Sequence, residues 1–103
     1  MARNLKFKAS TSPDVVGYRM YFEEVPNEVT YDSEYAELGN DVNDEGFIVV
    51  DLSTVARLTG LDGTYNIGVT AIDDGENESS MSKAADVPLD FVAPEPPGAL
   101  EIF

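Results

Sequence analysis

Oxygen supplies nearly all the chemistry this chain can offer. It contains no His and no Cys. That removes the commonest general base, the thiol nucleophile and the nitrogen and sulfur ligands of a zinc site. Asp41-Val42-Asn43-Asp44-Glu45-Gly46 sets oxygen ligands at alternate positions with Gly at the sixth, like the opening of a calcium loop. The twelfth position is Leu52, which has no carboxylate to give, so an EF-hand fails. Asp73, Asp74, Glu76 and Asn77 form a looser cluster around Gly75 and are the calcium candidates. Their plainer role is that of solvated turn residues.

Tyr21, Tyr31 and Tyr35 are the candidates for stacking on sugar rings, because a phenol joins an apolar face to a polar tip. The plainer reading puts Tyr21 on the outer face of a strand and uses the other two to pack a loop. Paired carboxylates can cleave a glycosidic bond, but they need a cleft, a fixed separation and one raised pKa. Acids scattered on the loops of a small domain supply none of these. Ser79, Ser80 and Ser82 have no His to activate them. The expectation is therefore no enzyme, no catalytic residues and no cofactor, with calcium as the one alternative. Asn77-Glu78-Ser79 fits the glycosylation acceptor pattern, a short and often empty motif.

Charge narrows the partners. Acidic residues outnumber basic ones 20 to 6, for a formal net charge of −14. Such a surface repels phosphate backbones and anionic lipid, so neither nucleic acid nor membrane is expected as a partner. It favours solubility through self-repulsion. No apolar run approaches the ~20 residues of a membrane span, and Met1-Ala2-Arg3-Asn4 leads into no signal-peptide core. At 103 residues, 43% of them apolar, the chain suits one folded domain. Residues 1–92 are expected to form it.

The elements that must position these groups read as strands. In Gly63-Thr64-Tyr65-Asn66-Ile67-Gly68-Val69-Thr70-Ala71-Ile72-Asp73, Tyr65, Ile67, Val69 and Ala71 take one face. Asp62-Gly63 and Asp74-Gly75 supply turns on either side. Leu5, Phe7 and Ala9 alternate with Lys6 and Lys8, lysines that suit a strand near a sheet edge. Tyr18, Met20 and Phe22 share one face, Arg19 and Tyr21 the other. Residues 23–45 hold nine acids and no base, with a strand only around Tyr35-Ala36-Glu37-Leu38. The rest of that stretch reads as solvated connection.

Phe47-Ile48-Val49-Val50-Asp51-Leu52 reads as a strand covered on both sides. Leu52, Val55 and Leu58 recur every third residue, with Ser53 as a cap for a short helical turn. Residues 73–80 form a hairpin loop. Residues 81–91 form the last strand, which Pro88 consigns to an edge. Residues 93–103 read as a stiff Pro-rich linker and one more alternating segment. The expected core is Leu5, Phe7, Tyr18, Met20, Phe22, Val50, Leu52, Leu58, Leu61, Tyr65, Ile67, Val69 and Ala71.

Short strands with turns between them argue for an all-β sandwich of two antiparallel sheets. Val15-Val16-Gly17-Tyr18-Arg19-Met20-Tyr21-Phe22 resembles the third strand of a fibronectin type III domain. Residues 58–73 resemble the approach to its sixth strand and that strand itself. Asp74-Gly75-Glu76-Asn77-Glu78-Ser79 is similar to the loop that follows in many bacterial members. The resemblance spans residues 5–89. An antibody-type domain is disfavoured, since it would want two Cys and a Trp.

The resemblance implies that Tyr65 is a corner tyrosine whose hydroxyl bonds back to upstream backbone. It also implies an extracellular or cell-surface spacer or adhesion repeat, with neighbouring domains, proteins or polysaccharide as partners. Three departures stand out. Phe7 replaces a common Trp, and residues 27–46 and 53–58 make long connections. The usual first strand is absent before Leu5, whereas residues 94–102 are similar to that strand. Residues 98–103 therefore either begin a following repeat or dock as a strand on their own domain or a neighbouring copy. The second is expected, because Leu100, Ile102 and Phe103 are apolar and want burial.

Overall fold

The computed structural model describes residues 4–92 and 96–103. Ala93, Pro94 and Glu95 of the expected linker lie outside the described residues. Six strands follow in order: β1 Asn4–Lys8, β2 Val15–Glu24, β3 Glu34–Leu38, β4 Phe47–Asp51, β5 Asp62–Asp73 and β6 Ser82–Asp90. All pairings are antiparallel. One sheet holds β1 and β4, and the other runs β3-β2-β5-β6. The fold is thus mostly β, with two antiparallel sheets closing on one core.

The alternation of β2 and β5 sets the register between them. Tyr18 lies opposite Ala71, Met20 opposite Val69 and Phe22 opposite Ile67, so inward residues meet inward residues. Ile48 and Leu52 close the core from the two-stranded side. Phe7 meets Tyr18 edge-on at 4.9 Å, and Phe22 meets Tyr65 at 6.4 Å. Every residue expected in the core is buried in it or packed against it. Leu38, Ile48 and Leu89 are also buried there, in addition to the expected core residues.

Three local expectations need correction. The run 47–52 is covered on one side only, with Ile48 buried and Val49 51% exposed. Among the described residues, no further layer lies outside the two-stranded sheet. Ser53 is not the cap of the following turn. Asp51 is, its Oδ1 accepting from the Ser53 N–H at 3.0 Å and the Ser53 hydroxyl at 2.6 Å. Leu52–Thr54 and Ala56–Leu58 form two successive 3₁₀ turns, whose three-residue period carries Leu52 and Leu58 into the core.

The third correction bears on the site. Residues 25–33 do not run free in solvent. They fold back over the outer face of the four-stranded sheet, where Val29 and Ser33 are buried. Asn66 Nδ2 holds this connection through the Asn27 carbonyl at 2.7 Å, and Ser33 Oγ accepts from the Thr30 N–H at 2.9 Å.

β6, with its Pro88, forms the edge of the larger sheet, and β1 pairs only with β4 among the described residues. Leu100, Ile102 and Phe103 are fully exposed and belong to no strand.

Candidate functional site

The outer face of the four-stranded sheet gathers the three candidate tyrosines. Tyr21 projects from β2 and Tyr35 from β3, directly across the ladder from each other. Tyr31 arrives on the folded-back connection. Ring centroids lie 5.2 Å apart for Tyr21 and Tyr35, and 6.0 Å for Tyr21 and Tyr31.

Tyr21 is on the expected face but is not an exposed stacking ring. It is 2% exposed, because Tyr31, Tyr35 and the returning loop close over it. Tyr31 and Tyr35 keep 53% and 37% of their surface. Arg19 lies over the Tyr35 ring with its guanidinium carbon 4.8 Å from the centroid.

Glu78 ties the cluster together. Its Oε2 accepts from the Tyr21 hydroxyl at 2.5 Å and the Thr70 hydroxyl at 2.6 Å. Its Oε1 pairs with Arg19 at 3.3 Å. Thr70 is fully buried, and burial of its hydroxyl is tolerable because the carboxylate accepts its proton. Burial pushes the Tyr21 phenol above the usual tyrosine range, and its hydrogen bond to Glu78 adds to the effect. Tyr31 completes the lid by donating its hydroxyl to the Ser79 carbonyl at 3.0 Å.

Glu78, Thr70 and Arg19 carried no signal as a site in the sequence. Glu78 sits in an acidic hairpin loop that looks solvated. It reaches the sheet because Ile72 and Glu78 form a β-bridge and return the chain across the outer face. Met81 then lies on Gly68, where any β-carbon would collide with its Sδ.

The calcium candidates are placed differently. Asp73 Oδ1 accepts from the Gly75 N–H at 2.9 Å and the Asn77 N–H at 2.8 Å, while Oδ2 accepts from Asn77 Nδ2 at 3.0 Å. These bonds hold its carboxyl below the usual aspartate range, the Asn77 backbone first and the Asn77 side chain next. The arrangement is an Asx turn with Glu76 in the left-handed region at φ 65°. Asp74 and Glu76 are exposed beside it. Among the described residues, no group of three or more His, Cys, Asp or Glu is placed to hold a metal ion.

Tyr65 also departs from its expected role. It is buried against Phe22, but its hydroxyl makes no hydrogen bond among the described residues. Burial, followed by the charges of Glu24, Asp62 and Glu34, raises its pKa. The back-bonding phenol is instead Tyr18, whose oxygen accepts from the Ser10 N–H at 2.9 Å.

The surface hollows are open and shallow. One of about 320 Å³ lies between Leu52, Val55, Leu58 and Phe91 at the end of the sandwich where β6 finishes. No family model matches the chain, and no curated protein or solved structure is detectably similar to it.

Proposed function

We propose that this chain is a non-catalytic structural and interaction module, one fibronectin type III-like repeat of a larger extracellular or cell-surface bacterial protein, serving as spacer or adhesion unit. The observation that carries the reading is how the polar side chains are used. Glu78, drawn onto the outer sheet face, has both oxygens engaged by Tyr21, Thr70 and Arg19. Asp73 is engaged by its own turn. Groups held this way stiffen a domain and are poorly free for proton transfer.

The repeat type is supported by the strand arrangement, β1-β4 facing β3-β2-β5-β6, together with the residues that resemble that family. The missing bond at Tyr65 is a departure from it. Fold alone does not assign the function.

A second reading is a carbohydrate-binding accessory module. Tyr31 and Tyr35 favour it, since both are exposed on one face beside Arg19. A calcium-binding module through Asp73, Asp74, Glu76 and Asn77 is the remaining alternative.

One thermal experiment separates the three. The melting temperature is measured in chelator, in millimolar calcium and with soluble polysaccharides. A ligand at a hundred times its Kd adds about 2.7 kcal/mol, a shift of several degrees for a domain of this size. The spacer reading expects no shift in any arm. A polysaccharide shift abolished by Tyr31→Ala or Tyr35→Ala overturns it in favour of sugar binding. A calcium shift abolished by Asp74→Asn overturns it in favour of a metal site.

A further inference from the structure

We propose that residues 98–103 of one copy of this chain add as an antiparallel strand to the open edge of β1 in a second copy.

The acceptor is the edge of β1 turned away from β4. Among the described residues β1 pairs with β4 on one side and with nothing on the other. Beside that open edge the core is incompletely covered. Phe7, Val69 and Ala71 are only partly buried and line an open groove of about 280 Å³ with Tyr18 and Ser82. Ala84 is exposed although Ile67, its partner across the ladder, is 3% exposed. A bare strand edge next to half-covered core residues is a template for strand addition.

The donor matches that edge in shape and charge. Leu100 and Ile102 are 88% and 101% exposed, so both side chains are open to solvent. Consider the antiparallel register that sets Leu100 opposite Phe7 and Ile102 opposite Leu5. Both apolar residues then face the groove, and Glu101 falls opposite Lys6 on the outer face. Lys6 and Lys8 are two of only 6 basic residues in a chain of net charge −14, and they flank this edge. Opposite charges directly across a ladder stabilise the pair.

A second copy fits better than the chain's own β1. β6 ends at the same end of the sandwich where β1 begins, because Leu52, next to the Asn4 partner Asp51, shares a hollow with Asp90 and Phe91. To run antiparallel to its own β1, the tail would first have to climb the sandwich and then reverse. Pro96-Pro97 keeps the chain extended just before residue 98, which opposes that reversal. The donor and acceptor are different surfaces, so two copies exchange tails reciprocally or assemble head to tail.

The test is sedimentation velocity of the full 103-residue chain over a wide concentration range, with amide hydrogen exchange of residues 98–103 followed in parallel. Concentration-dependent association with protection of these amides is expected. Ile102→Asp, in a segment outside the packed domain, weakens association by about 10- to 100-fold, the cost of losing one buried aliphatic side chain. Lys6→Glu and Glu101→Lys each weaken it by roughly 1.5- to 5-fold, and the double exchange restores it. A monomer at every concentration with unprotected tail amides overturns the proposal. So does a monomer with protected tail amides, which assigns the tail to its own domain. Association that ignores Ile102→Asp also overturns it. None of these results depends on ligand binding, so they stand apart from the thermal test of the spacer reading.

Discussion

The Tyr21 hydroxyl and the Glu78 carboxylate meet at 2.5 Å on the side of the sheet turned away from the core. The contact joins β2 to a loop 57 residues further along the chain. It makes that outer face a second packed layer. Charge-assisted hydrogen bonds of this kind, shielded from water, contribute more than neutral ones. Tyr21→Phe is therefore expected to destabilise the domain by about 1.5–3 kcal/mol in urea unfolding. Glu78→Ala is expected to cost at least as much, since it leaves the buried Thr70 hydroxyl without its acceptor. An unchanged urea midpoint for Tyr21→Phe would place the tyrosine lid outside the stabilising structure.

Gly68 and Met81 form a second pair across this layer. A methyl at position 68 collides with the Met81 thioether, so Gly68→Ala is expected to destabilise by about 1–3 kcal/mol. Met81→Ala opens the space and relieves the clash. The double variant should recover most of that steric cost, giving a coupling of at least ~0.5 kcal/mol in a double-mutant cycle. Simple additivity would show that Met81 does not rest on Gly68 in solution.

Tyr18 and Tyr65 predict opposite outcomes for one chemical change. Tyr18→Phe strands the Ser10 N–H and is expected to cost about 1 kcal/mol. Tyr65→Phe removes a hydroxyl that accepts and donates nothing among the described residues, so a change below about 0.5 kcal/mol is expected. Melting temperatures of the two variants decide it. A larger loss for Tyr65→Phe would restore the corner-tyrosine role that the family resemblance implies.

Acid and alkali act on different residues. The Asp73 carboxyl is held below its unfolded value, so its contribution is complete above a pH of about 3.9 and is lost as pH falls through the folded value. Asp73→Ala should flatten the acid limb of the stability profile. The phenols of Tyr21 and Tyr65 are raised, so their contributions are complete below about pH 10 and are lost as pH rises through the folded values. In a tyrosinate absorbance titration Tyr21→Phe should remove one late-ionising step. A titration identical to the parent chain would contradict the burial of this ring.

Much of this was legible in the residues themselves. Period-two alternation named the inward faces of β1, β2 and β5, because each strand buries one side and water takes the other. Pro88 placed β6 at an edge, and the three-residue recurrence of Leu52, Val55 and Leu58 announced a turn that crosses between layers. The sequence also placed Tyr21 and Arg19 together on the outward face of β2.

Only the tertiary structure decided what covers that outward face. The connection 25–33 and the loop at Glu78 look solvated because they are acidic and lack periodicity. They are drawn in by partners 39 to 59 residues away, as with Asn27 and Asn66, or Arg19 and Glu78. Local alternation reports which side of a strand is apolar. It carries no information about which distant loop returns to it, or whether a phenol finds a carboxylate there. That depends on where the sheets set the chain in space, so Tyr21 passed from an exposed ring in the sequence to a buried donor in the fold.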